Sequence, residues 1–257
     1  MSNCTFQQFL LTHDDPTVFI TCQWQTDKSV PNLKYLIYRV IVALLFLVTC
    51  GYSIILEGYT RDRFICFTYW LIYLTHWGYL LSTIQAVIAA IMLLASYVST
   101  KAGDRCLKMY PVYWLTNTIA TPIAFLITAL FWCAVYEPEL FPIDVNLYFV
   151  HANNSLVMLI DSFMVSHPFK WAHLIYPILF GGIYATFTVV YYFAGGKTAK
   201  GEPYIYKVLD WSKPSTASFI TIGAFGLVLV TYALSYLLCK TRTKIHNKYC
   251  ATQEDME

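Results

Sequence analysis

The chain has 257 residues, of which 58% are hydrophobic, 18% aromatic and only 12% charged, with a formal net charge of +2. Soluble domains carry about 25% charged residues, so the deficit argues against a water-soluble globule. The near-neutral balance, without a long basic or acidic run, speaks against a nucleic-acid partner.

Six apolar stretches take up most of the sequence: Leu36–Leu56, Phe64–Val98, Val112–Tyr136, Ile143–Val165, Ala172–Ala194 and Thr216–Cys239. A bilayer core needs about 20 helical residues, and each stretch qualifies. The expected fold is therefore all-α: a polytopic bundle of six transmembrane helices, with an N-terminal segment at 1–35, a membrane domain at 36–239 and a tail at 240–257. Tyr69, Trp70, Trp114, Trp171 and Trp211 fall near span ends, where aromatic side chains anchor at headgroup level.

Residues 1–35 are polar and mixed, with no cleavable signal evident, so the first stretch reads as a signal anchor that stays. Lys and Arg divide eleven to six in favour of the side holding both termini, which predicts cytosolic ends. The sequon at Asn3 then faces the cytosol and that at Asn153 lies within a span, so no N-glycan is expected. The eight cysteines are scattered, form no CxxC pair and read as free thiols, with Cys106, Cys239 and Cys250 placed for palmitoylation.

Span one reads as a plain lipid-facing anchor. Span two is longer than a bilayer needs, so its first turns are expected to project into the interface or the helix to tilt. Thr75, Gly78, Tyr79, Ser82 and Ala86 share a helical face that should turn inward. Span three presents Asn117, Thr121 and Thr128 on one face and contains Pro122. Span four is the most polar, with His151, Asn153, Asn154, Ser155, Asp161 and Ser162. An intramembrane Asp costs about 2.5–3.5 kcal/mol on insertion scales, so this helix must face partners or an enclosed polar space. Span five carries Pro177, Gly181 and Gly182, and span six ends in a basic run from Lys240 to Lys244.

Thr75 lies about one turn below the Tyr69-Trp70 belt, and His151 about two turns below Ile143. At ~5.4 Å per turn they occupy one layer, which makes a hydroxyl nucleophile and an imidazole base conceivable. His76, Asn153 or Asn154 would steady a developing oxyanion. Asp161, ~15 Å of rise below His151, is too far to orient the ring. It is expected to support the floor of a shared cavity with Thr75, His151 and Asn154, through Asn117 or Thr121. Alternatives stay open. Threonines in spans commonly bond to their own helix, a transport pathway could follow span four, and His76, His151, Asp161, His167 and His173 are available as metal ligands, although their spacing matches no ligand motif and no metal or other cofactor is expected. The expected partners are membrane lipids and a lipid-ester substrate, with protein partners unknown.

Cys4-x-Phe6, Gln23-Trp24, Tyr73-Leu74-Thr75-His76-Trp77, Tyr110-Pro-Val-Tyr-Trp114, Phe131-Trp132, His151-Ala-Asn-Asn154 and Phe180-Gly-Gly-Ile-Tyr184 resemble the rolling stone family of insect membrane proteins over nearly the whole chain. That resemblance implies a role in myoblast fusion. Residues 70–195 are more distantly similar to the androgen-induced family of six-span threonine hydrolases, which cleave fatty-acid esters of hydroxy fatty acids. The resemblance implies Thr75, after Leu74, as nucleophile, His151 as base, and Asp161 as the family carboxylate ten residues on. Phe131-Trp132 and Glu137-Pro-Glu139 keep the family's order before the His. The family motif around that His reads roughly Asn-His-Gly-x-His-Thr, whereas here it is Tyr148-Phe-Val-His151-Ala-Asn-Asn154, without the first His and the Gly.

Overall fold

A computed structural model describes residues 6–59, 63–137, 139 and 145–254. The sequon at Asn3, Arg61, Pro138 and the start of the fourth stretch at Ile143 lie outside these residues. The described chain is helical, without a named strand among them. Its principal helices are α1 (Leu33–Tyr59), α2 (Arg63–Trp70), α3 (Leu74–Val98), α4 (Thr100–Leu107), α5 (Tyr110–Leu130), α6 (Val145–Tyr148), α7 (Asn154–Met164), α8 (Ile175–Phe193) and α9 (Pro214–Glu254). Five helical stretches are long and apolar enough to cross a membrane: Leu33–Ile55, Leu74–Val98, Tyr110–Val135, Trp171–Phe193 and Pro214–Tyr249. The fourth sequence stretch is not among them, because the polar residues from Asn146 to Asp161 dilute its hydropathy; a π turn at Phe149–Asn153 joins its helices α6 and α7.

The overlong second stretch is resolved by a break. α2 ends at Trp70, and α3 starts at Leu74. α3 packs against α1 and α5, and α5 also meets α7, α8 and α9. The inward face expected of α3 is buried at Thr75, Gly78, Tyr79, Ser82 and Ala86. At Gly78 the approach to α5 is so close that a Cβ would collide with Ile127 Cδ1. Small residues permit such approach where no hydrophobic effect drives helices together.

The two ends of the bundle differ. At the end holding both termini, the N-terminal segment folds back over the helices. A 3-10 turn at Pro16–Phe19, capped by the Asp15 carboxylate, drives Phe19 among Tyr113, Trp114 and Leu36. Cys22 bridges Val165, and Trp24 Nε1 donates to Phe163 O at 2.8 Å. At the opposite end, the 194–213 loop returns over the start of α3. Tyr184 donates to Ile72 O at 2.8 Å, and Lys207 meets Glu137 at 3.3 Å.

Candidate functional site

The polar residues of the interior fall into two layers, and the single shared cavity expected for Thr75, His151, Asn154 and Asp161 gives way to this arrangement. In the layer near the termini, Asp161 is an ion-pair partner. Arg39 Nη1 of α1 lies 2.8 Å from Asp161 Oδ1, with both side chains 1% exposed. Tyr38 donates to the same oxygen at 2.9 Å. Arg39 also donates from Nε to Tyr35 at 2.9 Å and from Nη2 to Tyr113 at 3.0 Å. This corrects two expectations. Span one is no plain anchor, and Asp161 does not serve as a floor held by Asn117 or Thr121. A buried carboxylate needs a full opposite charge, which amide and hydroxyl dipoles do not supply. Asn117 instead donates to Gln85 Oε1 at 3.4 Å, and Thr121 bonds to its own helix.

His167 joins this layer from the turn after α7. Its Nδ1 lies 3.4 Å from Pro168 O, and a carbonyl only accepts, so that nitrogen carries the proton. Nε2 then accepts from the Tyr113 hydroxyl at 3.2 Å. Burial, with Arg242 close by, pushes the His167 pKa down from 6.5 to about 3, so the ring is neutral. Arg242 of α9 donates to Ser162 O and His167 O, both at 3.1 Å.

The second layer lies toward the opposite end. Thr75 is buried in the first turn of α3. That helix has no side-chain cap of its own. The Tyr206 phenol of the 194–213 loop takes the role, accepting from Leu74 N at 3.0 Å and meeting the Thr75 side chain. Burial raises the Tyr206 pKa, partly offset by those donors, so the phenol stays protonated. His76 stacks on Trp70 at 4.3 Å, and its Nδ1 donates to Trp70 O at 2.5 Å. Its Nε2 is thereby left as an acceptor. With Nδ1–H so engaged, the neutral tautomer of His76 would offer Nε2 as a base rather than an oxyanion donor.

His151 sits on the π turn, an insertion frequent at functional sites. Its ring stacks on Phe131 at 3.5 Å and 11°. The turn exposes the His151 carbonyl sideways, where Thr128 donates to it at 2.7 Å. His151 Nδ1, Asn153 Nδ2 and both amide atoms of Asn154 are buried without a hydrogen-bond partner among the described residues. His76 is within electrostatic reach of His151. No hydrogen bond joins Thr75 to His151; the Thr75 side chain faces Tyr206.

The layers thus bring together His76 and His151 on one hand and Arg39, Asp161 and His167 on the other. His173 stands apart, with Nε2 3.3 Å from Leu10 O. Among the described residues no three His, Cys, Asp or Glu side chains gather as metal ligands. Sequence reasoning missed Arg39 and Tyr206. Arg39 carried a usable signal, a charge inside an apolar run with Tyr35 one turn before it. Tyr206 carried none, since a loop tyrosine is unremarkable until the chain folds back.

A family model described as protein rolling stone matches residues 3–253. Protein rolling stone of Drosophila melanogaster is 27% identical over 249 residues, covering 90% of this chain and 86% of the relative. No solved structure matches.

Proposed function

The chain belongs to the rolling stone family, and from that premise we propose a six-crossing membrane protein with an intramembrane lipid-ester hydrolase site. The segment from Val145 to Met164 supplies the sixth crossing, with the π turn letting its polar groups face inward. The excess of Lys and Arg on the side of both termini supports a cytosolic orientation for them, in the plasma membrane or an endomembrane. Epitope tags at either end should then be reached by antibody only after permeabilisation.

The observation that carries the enzymatic reading is the unpartnered Nδ1 of His151, on a ring held against Phe131. A general base needs a free lone pair in a fixed place. The Thr75 hydroxyl attacks the ester carbonyl carbon while His151 takes its proton. The amide protons of Asn153 and Asn154, otherwise unused, steady the tetrahedral oxyanion. Collapse expels the alcohol, which leaves with the proton from His151. Water, deprotonated by the same base, then releases the fatty acid and restores Thr75. For this the Tyr206 phenol must yield its place beside Thr75 to substrate, and hydrogen bonds of such sites commonly tighten only when substrate binds.

A second reading is a non-catalytic role, through partners, in myoblast or other cell–cell fusion or in muscle development. It is favoured by the turn of Thr75 toward Tyr206 instead of His151. A broad serine/threonine hydrolase probe separates the two. Labelling of the wild type but not of Thr75→Ala or His151→Ala supports the enzyme. Fusion at full level in both variants, with no labelling of the wild type, supports the other.

A further inference from the structure

The layer near the termini holds two buried guanidiniums and one carboxylate. Asp161 compensates Arg39. Arg242 is 2% exposed, and no described carboxylate lies within ion-pair distance of it. Its partners are neutral: Ser162 O at the end of α7, His167 O in the turn after it, and Cys239 Sγ at 3.1 Å. The Nε–H has no partner among the described residues. Carbonyls at a helix C-terminus offset part of a cation's desolvation, but a buried charge without a counter-charge remains costly.

Arg242 lines a crevice with Asn117, Thr121, Ser162, His167 and Ser235. The enclosed part has room for about one water-sized atom. The rest opens past the half-buried Ser162, Phe169 and Cys239, between α7 and α9. Thr121, Ser162 and Ser235 donate their hydroxyl protons to their own helices. The hydrogen-bond donors left for a guest are therefore Arg242 and the second amide proton of Asn117. Asp161 adjoins Ser162 in sequence, but its charge is engaged by Arg39. His167 is neutral. The local field is positive, and the exposed Lys240 and Lys244 on the same helix add to it. Arg242 follows the apolar run that ends at Cys239 by three residues, where a helix of that length would meet the headgroups of a bilayer it crossed.

We propose that this crevice binds a phosphate group, the headgroup phosphate of an anionic lipid in the leaflet on the side of the termini. One phosphate oxygen enters the enclosed part to meet Arg242, and the phosphorus stays at the mouth between α7 and α9. A water-sized space fits one such oxygen, and a charge-assisted bond to guanidinium is the strong kind.

The test uses the full chain, purified in neutral detergent, with thermal unfolding and native mass spectrometry as readouts. Phosphatidylglycerol should stabilise the protein and remain bound to it, while phosphatidylcholine, whose phosphodiester is offset by a choline cation that Arg242, Lys240 and Lys244 repel, should do so roughly tenfold more weakly or less. Arg242→Gln should abolish the difference. Should that variant fail to fold, Cys239→Phe, which fills the mouth and keeps the arginine, should also remove it. Lys240→Gln with Lys244→Gln should lower the affinity without abolishing the preference. Inorganic phosphate alone is the third arm: saturable stabilisation by it, with no added effect of lipid, would assign the crevice to free phosphate and overturn the lipid assignment. Equal binding of both lipids, or a preference lost with the two lysines but kept in the Arg242 and Cys239 variants, would overturn the site.

Discussion

Arg39 and Asp161 are 122 residues apart in sequence and meet at 2.8 Å inside the bundle, joining α1 to α7. The pair explains how two charges survive within apolar stretches. Each offsets part of the other's desolvation penalty, and three tyrosines bond to the pair, although Asp161 Oδ2 has no partner among the described residues. Together with the Thr49 and Ser53 hydroxyls, which bond to Tyr79 and Trp70, it fixes the rotation of α1.

Breaking the pair from one side should be worse than deleting it. Arg39→Met alone leaves a buried carboxylate and should cost about 3–5 kcal/mol. The double variant Arg39→Met with Asp161→Leu should recover much of that loss. Unfolding in detergent, read by tryptophan fluorescence, would measure both. Additive losses would show that the two charges do not depend on each other.

How much of this was legible in the sequence follows from periodicity and solvent. Apolar length announces spans, and helical spacing announced the inward face from Thr75 to Ala86, because lipid leaves polar groups nowhere else to go. Asp161 was recognisable as a group that needs a partner. Which partner it takes depends on helix order around the bundle, and no local pattern encodes that. The break between Trp70 and Leu74 and the π turn at His151 were likewise hidden, since both change backbone hydrogen bonding without changing hydropathy. Tyr206 caps α3 from a loop some 130 residues away in sequence, which only the folded chain reveals.

His167 should make stability depend on pH. Its folded pKa of about 3 lies below the ordinary 6.5, so between these values the unfolded chain binds more protons. Stability is fully present above pH 6.5 and is lost as pH falls toward 3, by at most about 1.4 kcal/mol per pH unit for one group. His167→Gln should flatten that slope relative to the wild type. Melting curves collected across this window would reveal it, and parallel profiles for the two proteins would rule out the contribution.

The Tyr206 phenol should control access to the start of α3. Tyr206→Phe removes the acceptor of Leu74 N–H but keeps the ring. Losing such a bond, worth about 0.5–1.5 kcal/mol, should speed amide exchange at Leu74 and Thr75 roughly 2- to 10-fold. A cysteine introduced by Thr75→Cys should also react faster with a lipid-soluble maleimide when Tyr206 is changed to Phe, as quantified on the peptide by mass spectrometry. Unchanged exchange and reactivity would mean that the loop does not gate this turn.

Asn154 offers the sharpest separation of stability from function. Its side chain is 1% exposed, and neither amide atom has a partner among the described residues. A buried amide left unsatisfied costs about 1–3 kcal/mol, and a hydrophobic residue of similar size would avoid that cost. Asn154→Leu should therefore unfold at a higher temperature than the wild type. If the amide serves to steady an oxyanion, the same variant should lose labelling by the hydrolase probe although Thr75 and His151 are intact. Proteins retain such costly groups where activity needs them. A destabilised Asn154→Leu that labels normally would show instead that the amide is a structural contact, and would remove Asn154 from the proposed site.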